Sequence, residues 1–218
     1  MTYKEPLWLM PAPGARSPVM GSPDLPEGFR ALDPYDLEDT SLEGVPGILV
    51  SGMCDQRHLA RLRGRFDAYL HDGGRMLVNG HVVDPWVTGM PTWRLIDYRG
   101  PRDLGITRLA SHPVWEGLDV SELLYRSGPH VPRTPQSLER YGVAGFYARG
   151  YLLDLPEGTT IINALGPLRA PVDVEIPVGK GRLVVHAGLD LVVFSDTPGT
   201  TLTSLSDNIR TWLGGEAA

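Results

Sequence analysis

A strand, a helix and a second strand follow one another within about 30 residues, and this unit constrains the fold more than any other feature. Residues 47–52, GILVSG, form a short apolar run between glycines, and residues 75–78, RMLV, form another. Between the two runs, apolar residues recur at three- and four-residue spacing, as on one face of a helix: Leu59, Leu62, Phe66, Tyr69 and Leu70. Asp55 is the predicted N-cap and Gly73 the predicted stop. The pattern predicts a βαβ unit with parallel strands and a right-handed crossover.

Further apolar runs extend this unit into an α/β domain. Strands are predicted in LWLM (7–10), FRALDPYD (29–36), GFYARGYLL (145–153), TTIINAL (159–165), VDVEIPVGKGRLVVHAG (172–188) and DLVVF (190–194). Helical spacing returns between Leu202 and Leu213. We therefore expect one domain over residues 1–218, with a mainly parallel sheet, helices on both faces and a loop-rich insertion at 84–140.

Composition narrows the range of partners. The formal net charge is −6 and no Lys- and Arg-rich run is interleaved with aromatic residues, so nucleic acid is not an expected partner. Cys54 is the single cysteine, which fits a reducing compartment. The sequence shows no signal-peptide pattern and no apolar run long enough to span a membrane. These features predict a cytoplasmic protein that does not bind membranes.

Ligands of open, mainly parallel sheets bind where the strands end at their carboxyl termini. The segments that follow the predicted strands are therefore the candidate binding region: Pro11–Gly14, Ser51–Gln56, Asn79–Trp86 and His186–Asp190. In addition, Tyr147 and Arg149 alternate along a strand-like run and are candidates for clamping a sugar or a carboxylate. The simpler alternative is that these two residues belong to an ordinary half-exposed strand face.

Four segments, in this order, carry a resemblance to a known superfamily: GILVSGMCDQRHL, LHDGGRMLVNGHV, SHPVWEGLD and VGKGRLVVHAGLD. Together they resemble the glutamine amidotransferase-like superfamily, and most closely its ThuA-like (trehalose-utilisation type) branch. The resemblance implies a flavodoxin-like fold, that is, a three-layer α/β sandwich. In catalytic members of the superfamily, one strand leads into an oxyanion-hole loop and the next into an elbow that carries a nucleophilic cysteine.

At the elbow position this sequence has Asn79, Gly80 and His81, none of which forms a thiolate. We therefore expect a non-catalytic domain, a pseudoenzyme, that binds a small polar ligand or a protein partner at the carboxyl edge of the sheet. The candidate ligand-binding residues are Asp55, Gln56, Asn79, His81, Tyr147 and Arg149. No cofactor or metal is expected, and a homodimer is an expectation taken from the resemblance.

The alternative hypothesis is a cysteine-dependent hydrolase or amidase. Cys54 follows a strand and precedes a helix, as a nucleophile does on a tight turn. His186 would be the base and Asp190 the residue that orients it. Two departures weaken this catalytic set: Cys54 lies one strand before the family's elbow, and residue 188, where relatives usually carry the acid, is Gly188. A buried structural thiol is the competing interpretation of Cys54.

A third hypothesis is sugar-directed or metal-assisted chemistry at the same edge. His81, Asp84, His186 and Asp190 all follow predicted strands. A zinc site needs three or four such ligands converging on one point, and no closely spaced motif in the sequence supports it. Scattered histidines are more commonly satisfied by hydrogen bonds.

Overall fold

The strands and helices come from a computed structural model that describes residues 5–13 and 27–215. The strands are β1 Leu7–Leu9, β2 Arg30–Leu32, β3 Ile48–Val50, β4 Arg75–Asn79, β5 Thr92–Leu95, β6 Ile106–Arg108, β7 Tyr125–Arg126, β8 Gly145–Phe146, β9 Gly150–Leu153, β10 Thr160–Leu165, β11 Ala170–Val178 and β12 Gly181–His186. The α-helices are α1 Gln56–Arg61, α2 Arg63–His71, α3 Pro135–Tyr141 and α4 Leu205–Leu213. Short 3-10 helices occupy Pro34–Asp39, Pro101–Leu104, Pro113–Trp115, Val120–Glu122, Leu191–Phe194 and Thr201–Ser204. Gly14, which ends one candidate binding segment, lies outside the described residues.

The central sheet of the described residues has eight strands in the order β2-β1-β3-β4-β12-β11-β10-β6. The first five strands are parallel, and the last three each run antiparallel to their neighbours. In register, Leu49 pairs with Leu77 and His186 pairs with Asn79. The carboxyl ends of β1, β3, β4 and β12 therefore lie at one edge, called here the carboxyl edge.

Helices cover both faces of the sheet. On one face, a Cβ added at Gly181 would lie 2.4 Å from the Leu70 carbonyl oxygen, so α2 packs directly on β12. Glu175 lies on the other face of β11, where it is hydrogen bonded to His112 (3.1 Å). The His112 ring in turn packs on Trp212 of α4, with 5.4 Å between centroids. The predicted α/β class, a three-layer arrangement with a mainly parallel sheet, is confirmed.

Several predicted elements differ from those in the structure. FRALDPYD, expected as a strand, contains β2 and the start of a 3-10 helix, and GFYARGYLL is divided into β8 and β9. The helix expected after β3 is divided at Leu62 into α1 and α2, because Leu62 has φ −95° and ψ 8°. DLVVF, expected as a strand, contains the 3-10 helix Leu191–Phe194, whose four residues are all buried. A short apolar run in the sequence predicts a buried segment, but it does not distinguish a strand from a buried helical turn.

The region expected as an insertion is irregular, but it packs on the main core. It contributes β6 to one end of the central sheet, while β5 pairs with β9 and β7 pairs with β8. Trp86 and Trp115 from this region are buried in the hydrophobic core. Within the described part of the chain, no helix has both the length and the apolar character needed to cross a bilayer.

Candidate functional site

The turn that follows β4 is sterically closed at its centre. Gly80 has φ +98°, and a Cβ at this position would lie 2.5 Å from the Cα of Gly52, which follows β3. Real Cβ atoms do not approach other atoms this closely, so position 80 excludes any side chain. The turn expected to match the elbow is therefore present as a bend, and its central residue has no room for a nucleophile.

The residues on either side of Gly80 have different environments. Asn79 is buried, donates to the Val50 carbonyl (3.0 Å) and accepts from the Leu191 amide (3.1 Å). His81 is exposed, and its ring stacks on Trp93 with 4.0 Å between centroids. Partial burial, followed by the nearby charge of Arg149, lowers the pKa of His81. The Asn79 side chain, at the end of β4, thus joins the end of β3 to the 3-10 helix Leu191–Phe194. The exposed ring of His81 is instead available to a partner.

Cys54 is buried, and its thiol donates to the Leu9 carbonyl with 3.4 Å between Sγ and the oxygen. Burial raises the pKa of this thiol, and the Asp190 carboxylate raises it further. Only the thiolate form is a good nucleophile. The environment of Cys54 therefore opposes the activation that a cysteine hydrolase needs.

His186 has no solvent exposure, and both of its ring nitrogens already have partners. Nδ1 lies 2.5 Å from Asp173 Oδ1, and Nε2 lies 3.0 Å from the Leu189 carbonyl oxygen. Asp190 bonds elsewhere, to Ser51 and Gly52. The hydrogen bonds made by Cys54, His186 and Asp190 are thus different from those of the relay expected in the hydrolase hypothesis.

A fully buried polar network surrounds His186. Asp173 also accepts from the Tyr147 hydroxyl (2.7 Å) and from the Asn163 side-chain amide (2.6 Å). Tyr147 in turn accepts from the Trp115 indole N–H (2.9 Å). Burial raises the pKa of Tyr147, and the Asp173 carboxylate adds to the effect. These groups satisfy one another's hydrogen bonds away from solvent. Through Trp115, the network joins the sheet to the layer that contains α4.

The two members of the predicted sugar clamp are separated by this arrangement. Tyr147 is fully buried, and its hydroxyl faces Asp173. Arg149, two residues later, is exposed, and its carbonyl accepts from the Ile96 amide (3.0 Å). The pair therefore does not form a shared exposed surface, and Arg149 alone is accessible to a ligand.

Asp55 and Gln56 fix the loops that surround the carboxyl edge. Asp55 caps α1 by accepting from the amides of Arg57 and His58, as its sequence position predicts, and it accepts from the Tyr35 hydroxyl (3.0 Å). The Gln56 side chain donates to the His81 carbonyl (2.7 Å) and accepts from the Val83 amide (2.8 Å). Gln56 therefore holds the loop after β4 in place with its side-chain amide.

One cavity at the carboxyl edge is small. A cavity of about 10 Å³ lies between the ends of β3 and β4, and Ser51, Cys54, Gln56 and Asn79 contribute to its wall. This volume holds about one water molecule. A larger open groove of about 360 Å³ lies away from these residues, lined in part by Tyr125, Arg133 and Leu138.

The residues considered for a metal site do not form a cluster. Within residues 5–13 and 27–215, no group of three His, Cys, Asp or Glu side chains is arranged to hold a metal ion. His186 and Asp190 instead make the hydrogen bonds described above.

Sequence reasoning missed the residue at the centre of the buried network. Asp173 is a carboxylate within the largely apolar run VDVEIPV, which also contains Glu175, and this was the available signal. Asn163 is a similar case in TTIINAL. The role of the Ser51 hydroxyl in binding Asp190 had no comparable signal, because the two residues are 139 positions apart.

Comparisons with known proteins show similarity at the level of the fold. No family model matches the sequence, and no curated protein is significantly similar to it. Cytoplasmic Protein STM3548 from Salmonella typhimurium superposes with a TM-score of 0.50 and 13% identity, over 84% of this chain and 80% of that chain. Cytoplasmic Protein STM1381 from Salmonella typhimurium LT2 gives a TM-score of 0.49 and 10% identity, over 87% and 82% of the two chains. At such identities, the first likeness shows a shared fold and nothing of function.

Proposed function

We propose that this chain is a non-catalytic, glutamine amidotransferase-like domain of the ThuA-like type that binds a protein partner at the carboxyl edge of its sheet. The observation that carries the proposal is the set of hydrogen bonds made by Cys54, His186 and Asp190. Each residue bonds to a group outside the set, respectively the Leu9 carbonyl, the Asp173 carboxylate and the Ser51 hydroxyl. A thiol-based hydrolase would need these residues to bond to one another.

The size of the edge cavity favours a protein over a small polar ligand. Small-molecule sites are typically about 300–1,000 Å³, whereas the cavity between β3 and β4 is about 10 Å³. Around this edge three large side chains are exposed: Tyr35 at 57%, Met53 at 67% and Val83 at 66%. Exposed apolar and aromatic side chains beside charged ones suit a protein contact. We refer to Tyr35, Met53, His81 and Val83 as the edge surface.

The proposed location is the cytoplasm. The single cysteine is free and buried, as suits a reducing compartment. The Salmonella protein with which this chain shares its fold is described as cytoplasmic, which agrees with this assignment.

The non-catalytic part of the proposal is tested by turnover. We expect purified protein incubated with glutamine, simple amides and esters to release no product above the background of Cys54→Ala. Turnover that disappears in Cys54→Ala would instead establish the hydrolase hypothesis.

The binding part is tested by selection from a displayed library of natural protein fragments. Binders of the wild-type protein should lose affinity at least 10-fold for the double variant Met53→Glu and Val83→Glu. Leu168→Glu is the matched control, because Leu168 is 91% exposed in the turn between β10 and β11, which lie four and three strands from β3. Binders whose affinity is unchanged by the edge substitutions but falls for Leu168→Glu would place the contact outside the edge surface. Saturable binding of glutamine or trehalose that is lost in His81→Ala would favour the small-ligand alternative.

A further inference from the structure

The turn after β3 binds a carboxylate that belongs to the chain itself. Asp190 Oδ2 accepts from the Ser51 hydroxyl at 2.6 Å, and Asp190 Oδ1 accepts from the Gly52 backbone amide at 2.7 Å. The two oxygens of one carboxylate are thus bound by two neighbouring donors. This is the kind of contact by which protein turns bind anions, and here the two bonds offset in part the burial that raises the pKa of the Asp190 carboxyl group.

We propose that the Ser51–Gly52 turn is a carboxylate-binding site that Asp190 fills from within the chain, so that the site is closed to carboxylates from solution. The chemical class it recognises is a small carboxylate the size of formate. Because its occupant is internal, the inference does not depend on which partner the edge surface binds.

The turn restricts the positions of the two donors. A Cβ at Gly52 would lie 2.8 Å from the Cα of Gly80 and 3.2 Å from Asp190 Oδ1, so a side chain here would overlap with Gly80 and crowd the carboxylate. The Met53 amide lies 3.4 Å from the Ser51 hydroxyl oxygen and donates to it, which leaves the Ser51 proton free to point at Asp190. A preorganised donor pair binds a carboxylate without losing further conformational entropy.

The residues on both sides of Asp190 are held as well. The Leu191 amide donates to the Asn79 side chain at 3.1 Å. The Leu189 amide donates to the Tyr147 carbonyl at 3.0 Å, and the Leu189 carbonyl accepts from His186 at 3.0 Å. With both neighbours bonded, Asp190 does not swing out of the turn without breaking buried contacts. A carboxylate in solution therefore competes with an occupant whose effective concentration is very high.

The test is chemical complementation of Asp190→Ala by formate. Alanine removes a group of the same size as formate and leaves the Ser51 and Gly52 donors unpaired. We expect formate, compared with chloride at equal ionic strength, to raise the melting temperature of Asp190→Ala saturably, by about 3–6 °C at ten times its Kd. Acetate should act more weakly, because its methyl group meets the alanine Cβ.

Three controls define the result. The wild-type protein should show no formate-specific shift, because Asp190 fills the site. Asp119→Ala removes an exposed carboxylate that accepts from the Ser121 amide, and it should also show none. Adding Ser51→Ala to Asp190→Ala should abolish most of the formate effect.

The proposal is overturned if Asp190→Ala folds and formate stabilises it no more than chloride does, or if wild type responds equally. If Asp190→Ala does not fold in chloride, refolding in formate replaces the melting assay. Recovery of the near-ultraviolet circular dichroism of the wild type in formate alone would then support the site, and recovery in neither salt would reject it. Asp190→Asn, which keeps the shape of the occupant, should fold without formate and should not respond to it.

Discussion

His186 and Asp173 face each other across β12 and β11, with Nδ1 2.5 Å from Oδ1 and no solvent exposure of either side chain. The other ring nitrogen of His186 faces the Leu189 carbonyl oxygen. Nε2 donates to this carbonyl, and one proton bridges Nδ1 and the Asp173 carboxyl group. The pair is therefore a buried hydrogen-bonded pair that fixes the chain just before Asp190.

Removing Asp173 should destabilise the protein strongly. Asp173→Ala leaves His186, Tyr147 and Asn163 without their shared acceptor, and loss of one partner of a buried pair costs about 3–5 kcal/mol. Guanidinium denaturation measures this free energy of unfolding. Asp207→Ala is the control, because the Asp207 side chain is 77% exposed and its loss should change stability by less than about 0.5 kcal/mol. A cost below about 1 kcal/mol for Asp173→Ala would contradict the assigned role of the network.

The Cys54 thiol should be inert in the native protein. Burial raises the pKa of this thiol, so thiolate is scarce at neutral pH, and alkylation also requires the site to open. We expect iodoacetamide to label Cys54 at least about 100-fold more slowly in the native protein than in the urea-unfolded chain. A 100-fold difference corresponds to an opening free energy of about 2.7 kcal/mol. Labelling followed by mass spectrometry measures both rates. Native labelling as fast as unfolded labelling at pH 7 would contradict the buried assignment.

Mild acidification should increase the stability of the protein, because of Asp190. Burial raises the pKa of this carboxyl group, and the bonds from Ser51 and Gly52 offset the effect only in part. A carboxyl group with a raised pKa in the folded state contributes stability that is fully present below its unfolded pKa of about 3.9 and lost as pH rises through the folded value.

The measurement is urea denaturation of wild type and Asp190→Asn between about pH 4 and pH 8. Wild type should gain stability relative to Asp190→Asn as the pH falls through this range, because asparagine has no proton to bind. The comparison removes the contributions of all other carboxyl groups. If wild type instead lost stability relative to the variant, the hydrogen bonds of Asp190 would outweigh its burial.

The sequence predicted the layers of the fold because local pattern and tertiary arrangement agree there. The runs GILV and RMLV are flanked by glycines and separated by one helical pattern, and the structure pairs them in parallel, with Leu49 beside Leu77. Asp55 was predictable as an N-cap for the same reason, since capping is decided within three residues.

The candidate site was less predictable, because its contacts join residues that are distant in the sequence. His186 was recognised as a residue at a strand end, but its partner Asp173 lies on the neighbouring antiparallel strand, and Tyr147 lies 26 residues from that partner. Residue spacing does not reveal such contacts, because they depend on the register between strands. Polar residues inside largely apolar runs, Asp173 and Asn163, were the usable signal.

Gly80 should be less tolerant of substitution than a glycine with similar backbone geometry in open space. Gly80 and Gly89 both have positive φ, +98° and +77°, but a Cβ at Gly89 meets no atom within 4 Å. Gly89→Ala should therefore cost only the backbone strain, about 1–2 kcal/mol. Gly80→Ala adds the overlap with Gly52, at 2.5 Å from its Cα, and should cost about 2–5 kcal/mol in total. Urea denaturation of both variants gives the two free energies of unfolding. Equal costs would mean that the turns after β3 and β4 are not in close contact, and the steric argument against a nucleophile at position 80 would fail with that contact.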